Sequence, residues 1–362
     1  MKRTHQIGLA LGAVLLLAAA QVAPSAKLSP PTAETETEGL APSSLIHGMT
    51  ISTQTSGSEW GTDAFEVELD RLKALGVNWV AIHPYAGLRD DGTVRFNELD
   101  PEDPPVWLAR PIAAAHARGM NILIKPHLAY WGSPFAWRGE IAFETPEANA
   151  RFWRGYSDWT LQVAAAAKGA DGFSVGTELE LQMDRKEEWL ELIAGVRKRT
   201  DARLSYSANW DGIDRVPFWD KLDAIGVQAY FPLPAPSGPG GIPAAQSLRE
   251  AWAPHLAKLR ALSESTGKPV FFAELGYDQT MTANLEPWKG ASRRQTPSDE
   301  ARKLQLRCLK VAFEILDEES EWLRGAFLWK WFVGKGRWEN FRLDHPEARK
   351  LIETEWGLKV KK

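Results

Sequence analysis

The chain has 362 residues, 44% of them hydrophobic and 25% charged, the balance of a water-soluble globular protein long enough for one large domain and a leader. Its net charge of −4 argues against nucleic acid or an anionic membrane surface as partner. The single cysteine, Cys308, excludes an intrachain disulfide and a cysteine-based metal centre, and reads as a small buried hydrophobe. Lys2 and Arg3 precede an apolar run at 7–20 that is short for a membrane span, with cleavage positions near Ala20 and Ala26. Residues 1–26 therefore read as a signal peptide, implying export to a periplasm or the extracellular space. An uncleaved signal anchor is the alternative and the only membrane association expected. Residues 27–44, rich in Pro, Thr and Glu, read as a disordered linker.

From residue 45 onward apolar runs alternate with amphipathic ones. The runs at 45–51, 78–84, 121–127, 172–178, 203–208, 222–230, 269–275 and 325–331 read as strands. Helical patterns occupy 64–75, 105–118, 146–168, 186–199, a short stretch at 216–219, 246–266, 298–319 and 346–355. Thr145-Pro146-Glu147 is a helix-start signal, and Gly76 and Gly119 mark helix exits. Eight strands, each followed by a helix, predict the α/β class and a (β/α)₈ TIM barrel as a single catalytic domain over 45–362. A doubly wound open sheet would want a glycine-rich phosphate loop, and no G-x-G-x-x-G or Walker sequence is present.

In such a barrel the functional side chains sit at the C-terminal strand ends. There the sequence places Trp60, then His83 and Tyr85, then Lys125, His127 and Trp131. Thr177 and Glu178 follow, then Asn209, Tyr230, Glu274 and Tyr277, and last Trp329 and Trp331. The ensemble is a polar pocket walled by aromatics, which suits a carbohydrate, and the 17 Trp of the chain suit stacking on sugar faces. Glu178 and Glu274 end the fourth and seventh strands, on opposite sides of the barrel mouth. Cleaving a glycosidic bond needs one carboxyl to protonate the leaving oxygen and one carboxylate to meet the developing positive charge. Glu180 is expected to raise the Glu178 carboxyl if close, and a donor such as Tyr230 to hold Glu274 ionised.

Rivals on the same fold are weaker. A metal-dependent barrel hydrolase wants His-x-His on the first strand, where His47 stands alone, so neither metal nor other cofactor is expected. His83 and His127 read as sugar-hydroxyl partners or as pocket lining. Lys125 prompts a Schiff-base aldolase reading, but no phosphate-binding glycine loop accompanies it. A carbohydrate-binding barrel without hydrolysis is the non-enzymatic alternative. The loops at 231–244 and 278–297 are expected to wall the site. Trp288 would either stack on sugar or pack beneath its loop, and Arg293 and Arg294 belong to the same loop.

Val175-Gly176-Thr177-Glu178-Leu179, Phe272-Ala273-Glu274-Leu275-Gly276-Tyr277 and Phe327-Leu328-Trp329-Lys330-Trp331-Phe332, with Ile82-His83-Pro84-Tyr85, resemble glycoside hydrolase family 113. The likeness runs over the domain from about residue 45. It implies a retaining β-mannanase-like enzyme acting on a β-linked polysaccharide or oligosaccharide, most readily β-1,4-mannan. It also implies Glu178 as acid/base, Glu274 as nucleophile, Tyr230 as hydrogen-bond partner of the nucleophile, and Trp329 or Trp331 as the floor beneath the sugar. One departure stands out. The wider clan carries Asn just before the acid/base Glu, and this chain has Thr177, a shorter group without an amide donor, which leaves the sugar identity open.

Overall fold

A computed structural model describes residues 45–290, 296–334 and 340–357. The expected signal peptide and linker, and Arg293 and Arg294, lie outside the described residues. The barrel strands are β1 (Ile46–Ser52), β2 (Trp79–Ile82), β3 (Asn121–Ile124), β4 (Gly172–Thr177), β5 (Arg203–Asn209), β6 (Ala224–Gln228), β7 (Val270–Leu275) and β8 (Leu323–Phe332). They form one closed barrel in sequential order, and every pairing is parallel. The helices are α1 (Asp63–Ala74), α2 (Val106–His116), α3 (Pro146–Ala166), α4 (Lys186–Arg197), α5 (Ala245–Thr266), α6 (Asp299–Glu318) and α7 (Pro346–Trp356).

Local chemistry sets these boundaries. Thr145 caps α3 by accepting from the Ala148 amide, with Pro146 in the first turn, and Ser298 caps α6 by accepting from Ala301. Between β5 and β6 the expected short helix is instead two 3-10 turns, Ile213–Arg215 and Trp219–Lys221. The barrel closes where β1 meets β8. There Gly325 has φ 117, and a Cβ on it would lie 2.2 Å from the Ile46 carbonyl, so the seam needs glycine.

Two layers of apolar side chains result. Ala81, Leu123, Phe271, Ala273 and Phe327 form a small inner cluster, and a much larger one fills the space between strands and helices. The second and third strands stop earlier than the sequence suggests. Pro84 and Pro126 lack an N–H and interrupt both ladders. Beyond them Tyr85–Leu88 and His127–Ala129 pair with each other, and Val94–Arg95 adds to form a three-stranded sheet off the barrel rim. This side sheet carries Tyr85 and His127 to the mouth of the barrel.

Candidate active site

Glu274 is anchored through both carboxylate oxygens. Strict alternation from Phe271 and Ala273, both in the inner cluster, would turn Glu274 toward the helices. A register shift between Phe272 and Glu274 re-aims it over the barrel mouth. Its side chain is buried, bonded through Oε1 to Lys125 Nζ, and Tyr230 Oη donates to Oε2 at 2.6 Å. Burial would push the Glu274 carboxyl up, but the Lys125 charge and hydrogen bond, with donors on Tyr230 and Gln228, hold it below its usual value. Tyr230 is itself pushed well up, first by burial and then by the Glu274 charge, so it remains a phenol that donates.

Glu178 ends β4 in the left-handed region, φ 55, which a residue with a Cβ rarely adopts. The Glu178 amide donates to the Ser207 carbonyl at 2.9 Å, and the Leu179 amide donates to Tyr206 Oη at 2.7 Å. Arg138 Nη2 donates to Glu178 Oε2 at 2.8 Å, and Gln228 Nε2 lies 3.5 Å from Glu178 Oε1. Gln228 thus stands beside both carboxylates, which face one space. The expected Glu180 neighbour turns elsewhere. Its carboxyl is raised by burial and by Asp211, nearby Asn209 opposes the rise, and Arg215 lies 3.6 Å away. The charged group in contact with Glu178 is Arg138.

Aromatic rings and imidazoles line the same space. His83 and His127 stack at 5.1 Å, and Trp329 lies 5.6 Å from His83 and 6.4 Å from His127. Burial, then the Lys125, Lys330 and Arg138 charges, hold His83 well below its usual value. Burial, then Arg138 and Lys125, do the same for His127, so both are neutral imidazoles. Tyr85 packs edge-on to both and meets Trp131 at 5.3 Å. Trp131 is 64% exposed at the rim, beside an open cleft that Arg89, Arg95, Phe96 and Asn97 also line. Buried polar atoms without a hydrogen-bond partner among the described residues gather here: His83 Nδ1, His127 Nε2, Arg138 Nε, Thr177 Oγ1 and Gln228 Oε1. Donors and acceptors of this kind around two carboxylates match a polyhydroxylated ligand.

Several sequence expectations need correction. Lys125 is fully buried and spends its donors on Glu274 and the Ala273 carbonyl, so its partner is a carboxylate and not the substrate. Trp60 is buried beneath His83, 5.4 Å away and edge-on, with its Nε1 donating to the Ile51 carbonyl, because the 3-10 turn at Ser58–Gly61 folds it under the rim. Tyr277 is wholly buried in the outer layer, where Gln305 of α6 donates to its carbonyl; past Glu274 the chain has turned toward the helices. Trp331 also faces outward, donating from Nε1 to Glu68 of α1 at 2.8 Å. Between the Met49–Leu328 and Ile51–Trp331 pairs β8 holds one extra residue, which breaks the alternation that would have put Trp331 beside Trp329. Asn209 sits at the rim and donates to Asp211 at 2.6 Å, away from Glu274. Trp288 is half exposed and stacks on Trp210 at 6.5 Å.

The outward placement of Trp331 carries its own test. Trp331→Phe removes one buried hydrogen bond to a carboxylate and is expected to cost about 1–3 kcal/mol in denaturant unfolding with turnover per folded molecule unchanged. A collapse of kcat in a fully folded variant would put Trp331 in the pocket instead.

Three groups at the site escaped the sequence reading. Arg138, on the turn Arg138–Glu140, had no signal beyond its place in the loop after β3. Gln228 was visible only as a polar residue ending an apolar strand. Lys330 is pushed down to about 8 by burial, and its ammonium stands 4.7 Å from the Trp329 ring centre.

A closed parallel barrel with paired carboxylates and aromatic walls at its C-terminal mouth has the form of a barrel glycosidase. The chain belongs to Glycoside Hydrolase Family 113, whose profile matches residues 49–340. It is a glycosidase by that membership. Similar solved structures include the GH113 β-mannanase AaManA from Alicyclobacillus acidocaldarius in complex with ManMIm, at 24% identity over 86% of this chain and 97% of that one, with a TM-score of 0.71. A GH113 β-1,4-mannanase solved as a complex has 20% identity over 87% and 100%, with a TM-score of 0.72. A family 5 mannosidase from Rhizomucor miehei has 14% identity over 86% and 92%, with a TM-score of 0.58. Among curated protein sequences none matches the chain.

Proposed function

We propose that the protein is a retaining β-mannanase that cleaves β-1,4-linked mannan by double displacement, with Glu274 as nucleophile and Glu178 as acid/base. The observation that carries this reading is the contrast between the two carboxylates. Glu274 is buried, ionised and immobilised by Lys125 and Tyr230, as a nucleophile must be. Glu178 is the group across the gap, with one oxygen, Oε1, held among the described residues only by a long contact to Gln228. Glu178 gives a proton to the leaving oxygen as Glu274 bonds to the anomeric carbon. It then takes a proton from the water that releases the sugar. Two β-mannanases of the family are among the similar structures, which supports mannan as the polymer. Exposed Trp131 at one rim and Trp288 on Trp210 at another would carry sugar units beyond the cleaved bond. The apolar N-terminal run at 7–20, read as a signal peptide, would place the enzyme outside the cytoplasm.

The test is product analysis on mannan, glucomannan, cellulose and xylan oligosaccharides. Mannan and glucomannan should be cleaved, and Glu178→Gln should lose on the order of 10²- to 10⁴-fold in rate. Preference for cellulose or xylan would refute the substrate, and normal turnover by Glu178→Gln would refute the mechanism. Trp131→Ala should raise KM by roughly 10-fold or less on long oligosaccharides and leave the shortest substrates unaffected. An equal effect at every chain length would remove Trp131 from the distal binding surface.

A further inference from the structure

Arg138 lies far from the strand ends in sequence logic, yet its guanidinium is drawn in from solvent to meet Glu178, and both side chains are largely buried. Its carbon centre also lies 5.7 Å from the Tyr130 ring centre. The turn that carries it is fastened to the segment that carries Glu178. Gln182, in the 3-10 turn Glu180–Gln182, donates from Nε2 to the Ile141 carbonyl at 2.7 Å. Gln182 is in turn fixed by Trp153 Nε1, which donates to its Oε1 at 2.9 Å, and by Trp189 Nε1, which donates to its carbonyl at 2.9 Å. The two halves of the ion pair are therefore held by a common buried scaffold and not by the pair alone.

The left-handed backbone at Glu178 aims the side chain but leaves its terminal torsion free, since a carboxyl rotates broadly about its last bond. A charge-assisted hydrogen bond to one oxygen removes that freedom. We propose that Arg138 is a positioning residue for proton transfer: by holding Glu178 Oε2 it presents Oε1 to the glycosidic oxygen. This rests on the acid/base reading of Glu178. In the first step the proton on Oε1 passes to the leaving oxygen as the C1–O bond breaks and a Glu274 oxygen bonds to C1. In the second step water attacks C1, the bond to Glu274 breaks, and the water proton returns to Oε1. The proton is carried by the same oxygen in both directions, so one fixed orientation serves both steps.

The experiment uses aryl β-mannobiosides whose leaving groups range from dinitrophenol, which departs without protonation, to unsubstituted phenol, which needs it. The variants are Arg138→Met, Arg138→Lys and, for comparison, Glu178→Gln. Arg138→Met should lower kcat/KM on the phenyl substrate by about 100-fold, the cost of misplacing a catalytic group, with the dinitrophenyl substrate nearly unchanged. Arg138→Lys, which keeps the charge, should recover part of the phenyl rate and also serves if the Met variant does not fold. Equal losses on every leaving group, in variants whose melting shows a folded protein, would overturn the proposal and leave Arg138 a structural tether. If Glu178→Gln itself shows no leaving-group selectivity, the acid/base reading fails. If it does and neither Arg138 variant does, only the positioning role fails.

Discussion

Glu274→Ala is expected to lower kcat on mannan oligosaccharides by on the order of 10⁴-fold or more, because it removes the group proposed to bond to the anomeric carbon. The fold should survive. The substitution empties space at the barrel mouth and leaves Tyr230 able to bond water, although the Lys125 ammonium loses its partner. Azide separates a nucleophile from a group that merely touches the sugar. Added to Glu274→Ala with an activated aryl β-mannobioside, it should occupy the freed position and yield the α-glycosyl azide. Added to Glu178→Gln, it should act on the glycosyl-enzyme and yield the β-azide. Swapped anomers would exchange the two roles.

Lys125→Met has the second largest expected effect, and it acts on both stability and pH. Lys125 has no exposed surface and its ammonium is spent on Glu274 and one carbonyl. Removing it leaves a buried carboxylate without its cation, which costs about 3–5 kcal/mol. The sign of the pH effect follows from the causes. Glu274 lies below the ordinary 4.5, so in the native protein its contribution to stability is present above that value and is lost as pH falls through the lowered one. Burial acts upward on Glu274, and the Lys125 ammonium is the strongest opposing influence. Without Lys125 the carboxyl rises, and the acidic limb of kcat/KM should move to higher pH. Denaturant unfolding and a pH–rate profile check this together. An unmoved acidic limb in a folded variant would show that Lys125 does not tune Glu274.

The barrel was legible because its two periodicities are cleanly segregated, and strands such as Val270–Leu275 are apolar on both faces while helices such as Asp299–Glu318 are not. Glu178 and Glu274 were legible because a carboxylate ending such a strand is conspicuous. Orientation was harder to read. Trp329 and Trp331 share parity in sequence, and only the extra residue in β8 separates the pocket from the outer core. The side sheet was hidden because the apolar runs stop at Pro84 and just past Pro126, and no pattern shows that the chain resumes extended pairing beyond each proline. The partners of the two carboxylates were least visible. Lys125 reaches Glu274 across the barrel and Arg138 reaches Glu178 from a loop, contacts at sequence separations of 149 and 40 that no local pattern encodes.

The central claim is that Glu274 forms a bond to sugar, and trapping that bond is its most direct test. An activated mannobioside bearing fluorine in place of the 2-hydroxyl at the cleavage unit should form the glycosyl-enzyme quickly and release it slowly. Peptide mass spectrometry of the inactivated enzyme is then expected to find one disaccharide on the peptide that contains Glu274, with fragmentation placing it on that residue. A label on any other residue, or turnover of the reagent with no covalent adduct, would contradict the account.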